Sequence, residues 1–315
     1  VRGQGQTCRG QSLMGNAGPL SNREVAGLLA ELDPRAGPLI ITVFGDAIAP
    51  RSGNIWLGSL IALMSHFGLS ERLVRTGVFR LTKDGWFATR SRGRRSFYEL
   101  TPDSRKTFAD ADSRIYSASL PDWDGTWTLV QALPDLPARH RQRLRDALKW
   151  YGFGQLSPTL MVSPRIHAPS LFDNVAQDQP PAVFTARLAD LDGAADLTGI
   201  AAAAWNIDEL NAAYVKFTER FEAFTARIPG SDVDCFVLRS LLLHEYRRIL
   251  LQDPQLPSAL APEGWAGKIA RDLSANLYRA LTPPADRFIQ DEVECWAGAC
   301  PAPAPDYHRR FERTD

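Results

Sequence analysis

The sequence has few cysteines and histidines, and it carries no net charge. Its 315 residues include four cysteines and five histidines, and 36 basic residues balance 36 acidic ones. The cysteines show no disulfide-framework spacing, and Cys295 and Cys300 lie too far apart for the usual zinc-binding pair. The histidines form no His-x-x-x-His or His-Glu-x-x-His pattern. We therefore expect a reducing environment and no bound metal.

Long apolar runs are also missing. No run approaches the roughly 18 residues that a membrane helix needs, and the first residues lack the apolar segment of a signal peptide. Apolar content of 44% and charged content of 23% are typical of globular proteins. We expect a soluble cytoplasmic protein of two or three domains that does not contact a membrane.

Motifs of catalysis are absent as well. The chain has no Gly-x-Ser-x-Gly elbow and no Gly-rich loop before a lysine. His244 and Glu245 are neighbours, but adjacent side chains on a helix point about 100° apart and cannot easily share a substrate. The sequence therefore predicts no catalytic residue, no cofactor and no enzymatic activity.

Positive charge is concentrated in one segment. Residues 70 to 106 contain ten cations and four acids, so this segment carries +6 and the rest of the chain −6. A local basic patch on a neutral protein favours a localised site for a polyanion.

The pattern in this segment predicts two helices and a hairpin. Apolar residues recur at helical spacing from Ile55 to Phe67, Gly68 ends that helix, and Ser70 caps the next one. At about 100° per residue, the second helix has an apolar side and a basic side. The basic side contains Arg72, Arg75, Thr76, Phe79 and Lys83. After Asp84-Gly85, alternating residues on both sides of Gly93 predict a hairpin.

This order of elements is that of a winged helix-turn-helix, which would bind double-stranded DNA. A helix fits the major groove, and arginine can bind guanine bidentately, whereas a hairpin tip can reach phosphates. A basic helix face is often only solvated, but the hairpin arginines repel one another unless an anion is present. The predicted DNA-binding residues are Ser70, Arg72, Arg75, Thr76, Arg80, Lys83, Arg92, Gly93, Arg94, Arg95, Ser96 and Tyr98.

The remaining chain predicts an α+β multidomain protein. Strand-like and helix-like segments alternate after Tyr116 and favour a ferredoxin-like α+β domain, and the part after Asp208 is mainly helical. The predicted divisions are a leader, largely disordered at its start (1–37), a winged-helix DNA-binding domain (38–118), a ferredoxin-like central domain (119–205), a C-terminal helical domain (206–296) and a flexible tail (297–315).

Eight short motifs in this order resemble a known family. They are FGD (44–46), IWLGSLI (55–61), ERLVRT (71–76), RL (80–81), DGW (84–86), GRRSFY (93–98), WDGTW (123–127) and DPQLP (253–257). Together they are similar to the PaaX-like repressors of phenylacetate degradation, roughly from residue 38 to residue 290. The resemblance implies a bacterial transcriptional regulator with an N-terminal winged helix, a Cas2-like central domain and a helical C-terminal domain.

The resemblance also implies partners. Family members bind operators as homodimers and release them when an acyl-CoA effector such as phenylacetyl-CoA is present. Two-fold symmetry would make the operator an inverted repeat. A CoA thioester needs cations for its phosphates, and the candidates are Arg139, Arg143, His244, Arg247 and Arg248, although solvated faces or interdomain ion pairs would also explain them.

Two other functions stay open at this point. One is a metal-dependent nuclease of Cas2-like type, which cleavage of a labelled oligonucleotide would favour. The other is an enzyme that handles acyl-CoA, which thioester turnover without operator binding would favour. The basic helix and the basic hairpin together favour the regulator, because a repressor needs only to couple two ligands.

Overall fold

The computed structural model describes residues 22–117, 123–133, 135–165, 182–187 and 197–312. The N-terminal part contains five helices and three strands in the described residues: α1 (Asn22–Leu32), α2 (Ala36–Val43), β1 (Asn54–Trp56), α3 (Leu57–Ser65), α4 (Glu71–Lys83), β2 (Phe87–Arg92), β3 (Arg95–Leu100) and α5 (Pro102–Ile115). α2 continues directly into a π-helical turn, Phe44–Ile48.

Local sequence signals set the ends of these elements. Gly68 has φ +73°, a left-handed conformation that favours glycine, and it separates α3 from α4. The Ser70 hydroxyl accepts a hydrogen bond from the Leu73 N–H at 3.4 Å and caps α4. Ile55 and Trp56 were predicted as helical, but they form β1, which pairs with β3 in an antiparallel sheet of order β1-β3-β2. Pairing with a distant strand therefore overrides the helical spacing here.

The central part contains a four-stranded sheet and one helix in the described residues: β4 (Thr126–Gln131), α6 (Ala138–Trp150), β5 (Gly154–Gln155), β6 (Leu160–Ser163) and β7 (Ala182–Arg187). The sheet order is β5-β6-β4-β7, and every pair is antiparallel. β6 lies between β4 and β5, which α6 connects, so the unit is a split β-α-β. This connectivity is that of a ferredoxin-like domain.

The C-terminal part is helical. It contains α7 (Leu197–Ala204), α8 (Ile207–Glu222), α9 (Asp232–Leu250) and α10 (Gly267–Glu292). The predicted last helix ended at Leu281, but α10 continues through Pro283 and Pro284 to Glu292. Ala285 and Ile289 are fully buried beyond the prolines, so packing holds the helix together where proline would otherwise end it.

The N-terminal and C-terminal parts share one hydrophobic core. This core extends from Val25 to Phe311 and includes residues from α2, α3, α4, α9 and α10. The Phe67 and Phe236 rings, for example, lie 5.6 Å apart between their centroids. The sequence predicted separate domains for 38–118 and 206–296, but the apolar sides of their helices face one another. The central sheet forms one smaller core with α6, and a second small core joins the sheet to C-terminal residues such as Ile207 and Leu256.

The C-terminal segment is packed against the protein, which corrects the prediction of a flexible tail over 297–315. It forms a hairpin of β8 (Glu294–Cys295) and β9 (Gly298–Ala299) and then a 3-10 helix, Pro305–Arg309. Phe311 is fully buried, and Arg310 forms an ion pair with the buried Asp46 at 3.1 Å. The proline-rich composition did not reveal these anchors. Residues 313–315 lie outside the described part.

The predicted leader is described only from residue 22. There, α1 buries Val25 and Leu28 in the shared core. The start that we predicted to be disordered, up to residue 21, lies outside the described residues. Among the described helices, none combines the length and the apolar character that crossing a bilayer requires.

Candidate nucleic-acid interface

Helix α4 is anchored on one side and open on the other. Val74, Gly77 and Val78 are buried. A Cβ atom on Gly77 would lie 3.1 Å from the Ile40 Cδ1 atom, so the small residue allows α4 to pack closely on α2. This packing fixes the opposite side of α4 toward solvent.

The residues of α4 and its cap that were predicted to bind DNA are all exposed. These residues are Ser70, Arg72, Arg75, Thr76, Arg80 and Lys83. Arg75 pairs with Glu71 at 2.8 Å, but both side chains are more than half exposed, so this pair holds the guanidinium only weakly. The Thr76 hydroxyl donates to the Arg72 carbonyl oxygen at 2.8 Å. The surface of α4 therefore presents cations that a polyanion can reach.

The β2–β3 hairpin has a two-residue turn of Gly93 and Arg94. Arg92 and Arg95 are opposite partners, and Gly93 has φ +60° at the first turn position, as a type II′ turn requires. Arg92, Gly93, Arg94 and Arg95 are exposed, whereas Ser96 and Tyr98 are half-buried. Because strand side chains alternate, Ser96 and Tyr98 lie on the face opposite to Arg95.

The β8–β9 hairpin covers the face that carries the strand arginines. The Trp296 ring lies 4.2 Å from the Arg90 guanidinium and 5.2 Å from the Phe97 ring centroid. The Trp296 carbonyl accepts a hydrogen bond from Arg92 at 3.4 Å. Sequence reasoning missed this contact because about 200 residues separate its two sides and no local pattern links them.

Arg95 is held most firmly of the hairpin arginines. Its guanidinium forms an ion pair with Glu294 and lies 4.5 Å from the Trp56 ring centroid. Arg94, at the turn, has no hydrogen bond, ion pair or ring contact among the described residues. The sequence predicts the same role for Arg94 and Arg95, but in the described residues only Arg95 is held by other side chains.

Sequence reasoning also passed over Phe79. It lies on the basic side of α4 and is 69% exposed. One signal in the sequence could have identified Phe79 as a surface residue, because its position on the helical wheel lies among the cations.

The predicted effector residues fall into two groups. His244, Arg247 and Arg248 line a cleft of about 1330 Å³, together with Arg35 and Lys149. This cleft lies between α2, the central domain and α9. Arg139 and Arg143 are exposed on α6 and do not line the cleft. The structure therefore brings together only three of the five predicted residues.

The described lining of the cleft is balanced in formal charge, since it contains four carboxylates (Asp33, Asp146, Glu209 and Glu245) and four cations (Arg35, Lys149, Arg247 and Arg248). Burial and the nearby Arg247 and Arg248 lower the pKa of His244 to about 4, so its ring is neutral near pH 7. Burial also lowers the pKa of Arg247, whose Nη1 donates to the Thr42 hydroxyl at 3.0 Å. No carboxylate of the described residues lies within ion-pair distance of Arg247. Arg248 pairs with Glu245 at 3.0 Å.

No site for a metal is evident in the described ranges, where no group of three or more His, Cys, Asp or Glu side chains is arranged to bind an ion.

Comparison with known proteins gives matches along most of the chain. Family models match for a PaaX-like protein (35–104), for a PaaX protein central Cas2-like domain (120–196) and for a PaaX-like protein C-terminal domain (205–291). The transcriptional repressor PaaX of Escherichia coli (strain K12) is 36% identical over 287 residues, which are 87% of this chain and 89% of that protein.

A solved structure, the uncharacterized protein Rv0674 from Mycobacterium tuberculosis, is 22% identical with a TM-score of 0.47, covering 73% of this chain and 89% of that one. The central domain is Cas2-like, as the matched model describes it. Three family models match successive parts of the chain, and the Escherichia coli relative is similar over most of both chains. We therefore conclude that the chain belongs to the PaaX-like protein family.

Proposed function

We propose that this chain is a transcriptional repressor that binds double-stranded operator DNA. The observation that carries the proposal is the solvent-facing row of cations on α4, beside the free Arg94 at the hairpin turn. The similar Escherichia coli protein is a transcriptional repressor, which supports the same role here. The family similarity also favours a binding protein over the nuclease and the acyl-CoA enzyme considered above.

We infer that α3, α4 and the β2–β3 hairpin act as a winged helix-turn-helix. α4 would enter the major groove, where Arg72, Arg75, Thr76 and Arg80 would reach base edges. The neighbouring Ser70 and Lys83 and the hairpin residues Gly93, Arg94, Ser96 and Tyr98 would contact the sugar-phosphate backbone. Arg92 and Arg95 would contribute less, because the β8–β9 hairpin already holds them.

Two single substitutions separate base reading from phosphate binding. Binding sites are first selected from random duplexes, and affinity is then measured by fluorescence anisotropy at several salt concentrations. Arg75→Ala should weaken binding and relax the sequence preference. Arg94→Ala should weaken all sequences alike and reduce the log–log salt slope by about 0.9. The proposal fails if the Arg75→Ala/Arg94→Ala double variant binds as tightly as the wild type.

We propose that the repressor acts as a homodimer on an inverted repeat. Two α4 helices related by a two-fold axis would meet half-sites about one helical turn, 10 base pairs, or a multiple apart. Selected sites should show this symmetry, and sedimentation of the DNA complex should give two chains per site. Selection of a site without symmetry would contradict this part.

We further propose that an acyl-CoA effector binds the cleft at His244, Arg247 and Arg248. A half-buried arginine without a carboxylate partner is stabilised by an anionic ligand such as a phosphate. Neutral His244 can hydrogen-bond a polar group without adding charge. The effector would release the DNA by binding the DNA-free state more tightly.

Calorimetry with phenylacetyl-CoA and other acyl-CoA thioesters tests this site. The Arg247→Ala/Arg248→Ala variant should bind the thioester at least tenfold more weakly. The matched control is Arg139→Ala/Arg143→Ala, which removes the same charge from exposed positions outside the cleft. If only the Arg139→Ala/Arg143→Ala control lost thioester binding, the effector site would instead lie on α6. Turnover of a thioester, or metal-dependent cleavage of an oligonucleotide, would instead favour one of the enzymes.

A further inference from the structure

Phe79 places a large apolar ring in the centre of the basic surface of α4. Its neighbours on the helix are Arg75 and Thr76 on the preceding turn and Lys83 on the following turn. At about 100° per residue, Phe79 lies about 150° from the middle of the buried side formed by Val74, Gly77 and Val78. The ring therefore points away from the protein.

The ring has no partner within the described chain. It is 69% exposed, the largest exposed fraction among the large apolar side chains. It makes no aromatic contact with another described ring, and no described cation lies over it. Leu73, the other exposed apolar residue of α4, is 45% exposed and lies beside the buried side of the helix.

The surroundings of Phe79 indicate the chemistry of its ligand. Exposed cations on both adjacent turns match a polyanion and disfavour a purely apolar protein surface. A ligand that fits both features combines phosphate groups, which the cations bind, with an apolar group that the Phe79 ring contacts. In the major groove, the apolar group on a base edge is the 5-methyl group of thymine.

We propose that Phe79 determines part of the sequence specificity by packing its ring against a thymine methyl group. This inference rests on the proposed binding of operator DNA by α4, and it adds a base preference to it. Arg75 and Lys83 would hold the helix in the groove, while Phe79 would distinguish thymine from bases without the methyl group.

The test replaces thymine by deoxyuridine, which removes only the methyl group. Each thymine of the selected binding site is replaced in turn, and affinity is measured for the full chain. In each half-site, replacement of one particular thymine should lower the affinity of the wild type about fourfold. This factor corresponds to about 0.8 kcal/mol for one buried methyl group. Phe79→Ala removes the ring from both chains of the proposed homodimer, so it should bind the thymine site as weakly as the wild type binds a site with this thymine replaced in both half-sites, and it should not distinguish thymine from uracil.

Controls separate this inference from the proposed function. Leu73→Ala, on the same helix, should keep the wild-type preference for thymine, and Phe79→Leu should keep part of it. Tight binding without any effect of deoxyuridine, or an effect that persists in Phe79→Ala, overturns the inference and leaves the repressor proposal intact. A changed oligomeric state of Phe79→Ala with unchanged thymine preference would assign the ring to a chain contact and also overturn it. If the wild type binds no DNA, both proposals fall.

Discussion

Arg94 and Arg95 are adjacent at the tip of one hairpin, but only Arg95 is held by the protein itself. The Arg95 guanidinium forms an ion pair with Glu294 and lies over the Trp56 ring, whereas Arg94 has no such contact in the described chain. An exposed ion pair of this kind contributes little to stability. It nevertheless competes directly with any phosphate that approaches Arg95.

Glu294→Gln should therefore strengthen DNA binding. The expected gain is about two- to fivefold at low salt, because an exposed ion pair is worth up to about 1 kcal/mol. Fluorescence anisotropy with the selected duplex measures it. Asp272→Asn removes the same charge from the exposed Lys268–Asp272 pair on α10 and controls for net charge. An equal gain in both variants would show that Glu294 does not restrain Arg95.

His244 gives the protein a defined dependence on pH. Its pKa in the folded chain is about 4, below the usual value of 6.5. The unfolded chain therefore binds the proton first, so the contribution of His244 to stability is complete above pH 6.5 and is lost as the pH falls toward 4. At pH 5 the loss is about 2 kcal/mol, since one pKa unit corresponds to about 1.4 kcal/mol.

Urea unfolding at pH 7.5 and pH 5 measures this loss. In His244→Gln, the decrease in the free energy of unfolding between the two pH values should be smaller by about 2 kcal/mol. His308→Gln, which alters an exposed histidine, should match the wild type. Identical pH dependence in the wild type and His244→Gln would mean that the ring is not held neutral.

At the scale of elements, the C-terminal segment is anchored by one buried cation. Arg310 contacts Asp46 at 3.1 Å and Asp112 at 2.6 Å, and its guanidinium lies 3.8 Å from the Tyr116 ring centroid. Without Arg310, Asp46 keeps only one buried cation among the described residues, Arg239 at 3.0 Å, and loss of one partner from a buried ionic network is strongly destabilising.

Arg310→Ala should consequently lower the free energy of unfolding by about 3–5 kcal/mol. The adjacent Arg309 offers a matched control, because its side chain is 77% exposed and its contact with Asp306 is long, 3.9 Å. Arg309→Ala should change stability by less than about 0.5 kcal/mol. Chemical denaturation measures both variants, and similar values for the two would contradict the anchoring role.

Elements with strong local signals could be predicted from the sequence. Gly68, the Ser70 cap and the turn at Gly93 mark the second helix and the hairpin, because short-range sterics and hydrogen bonds decide those positions. The exposed positions of the cations on α4 follow from the same helical period. The solvent-facing cations of the proposed site could be located for this reason from the sequence alone.

Elements that depend on distant partners could not be predicted in this way. The proline-rich segment after Ala297 packs against the protein because Arg310 forms an ion pair with Asp46 and Phe311 is buried in the shared core. Likewise, Trp296 restrains Arg90 from a position far along the chain. The restrained part of the hairpin surface is thus a tertiary property.

At the scale of the whole molecule, the shared core joins the DNA-contact surface that we propose to the C-terminal helices. α2 packs on both α4 and α9, and α9 carries His244, Arg247 and Arg248 of the cleft. Arg247 itself contacts Thr42 of α2. If the effector binds this cleft as we propose, it would act directly on α2, the helix that supports α4.

This arrangement predicts that α2, α4 and α9 unfold as one unit, whereas the separate core between the central sheet and α6 can open on its own. Hydrogen exchange followed by mass spectrometry should give the slowest amides of α2 and α9 the same free energy of opening. Phe236→Leu, in the shared core, should lower both values equally, by about 1 kcal/mol, and leave β4 unchanged. Exchange of α2 at a clearly lower free energy than α9 would show two independent domains, and coupling between cleft and α4 would then need another route.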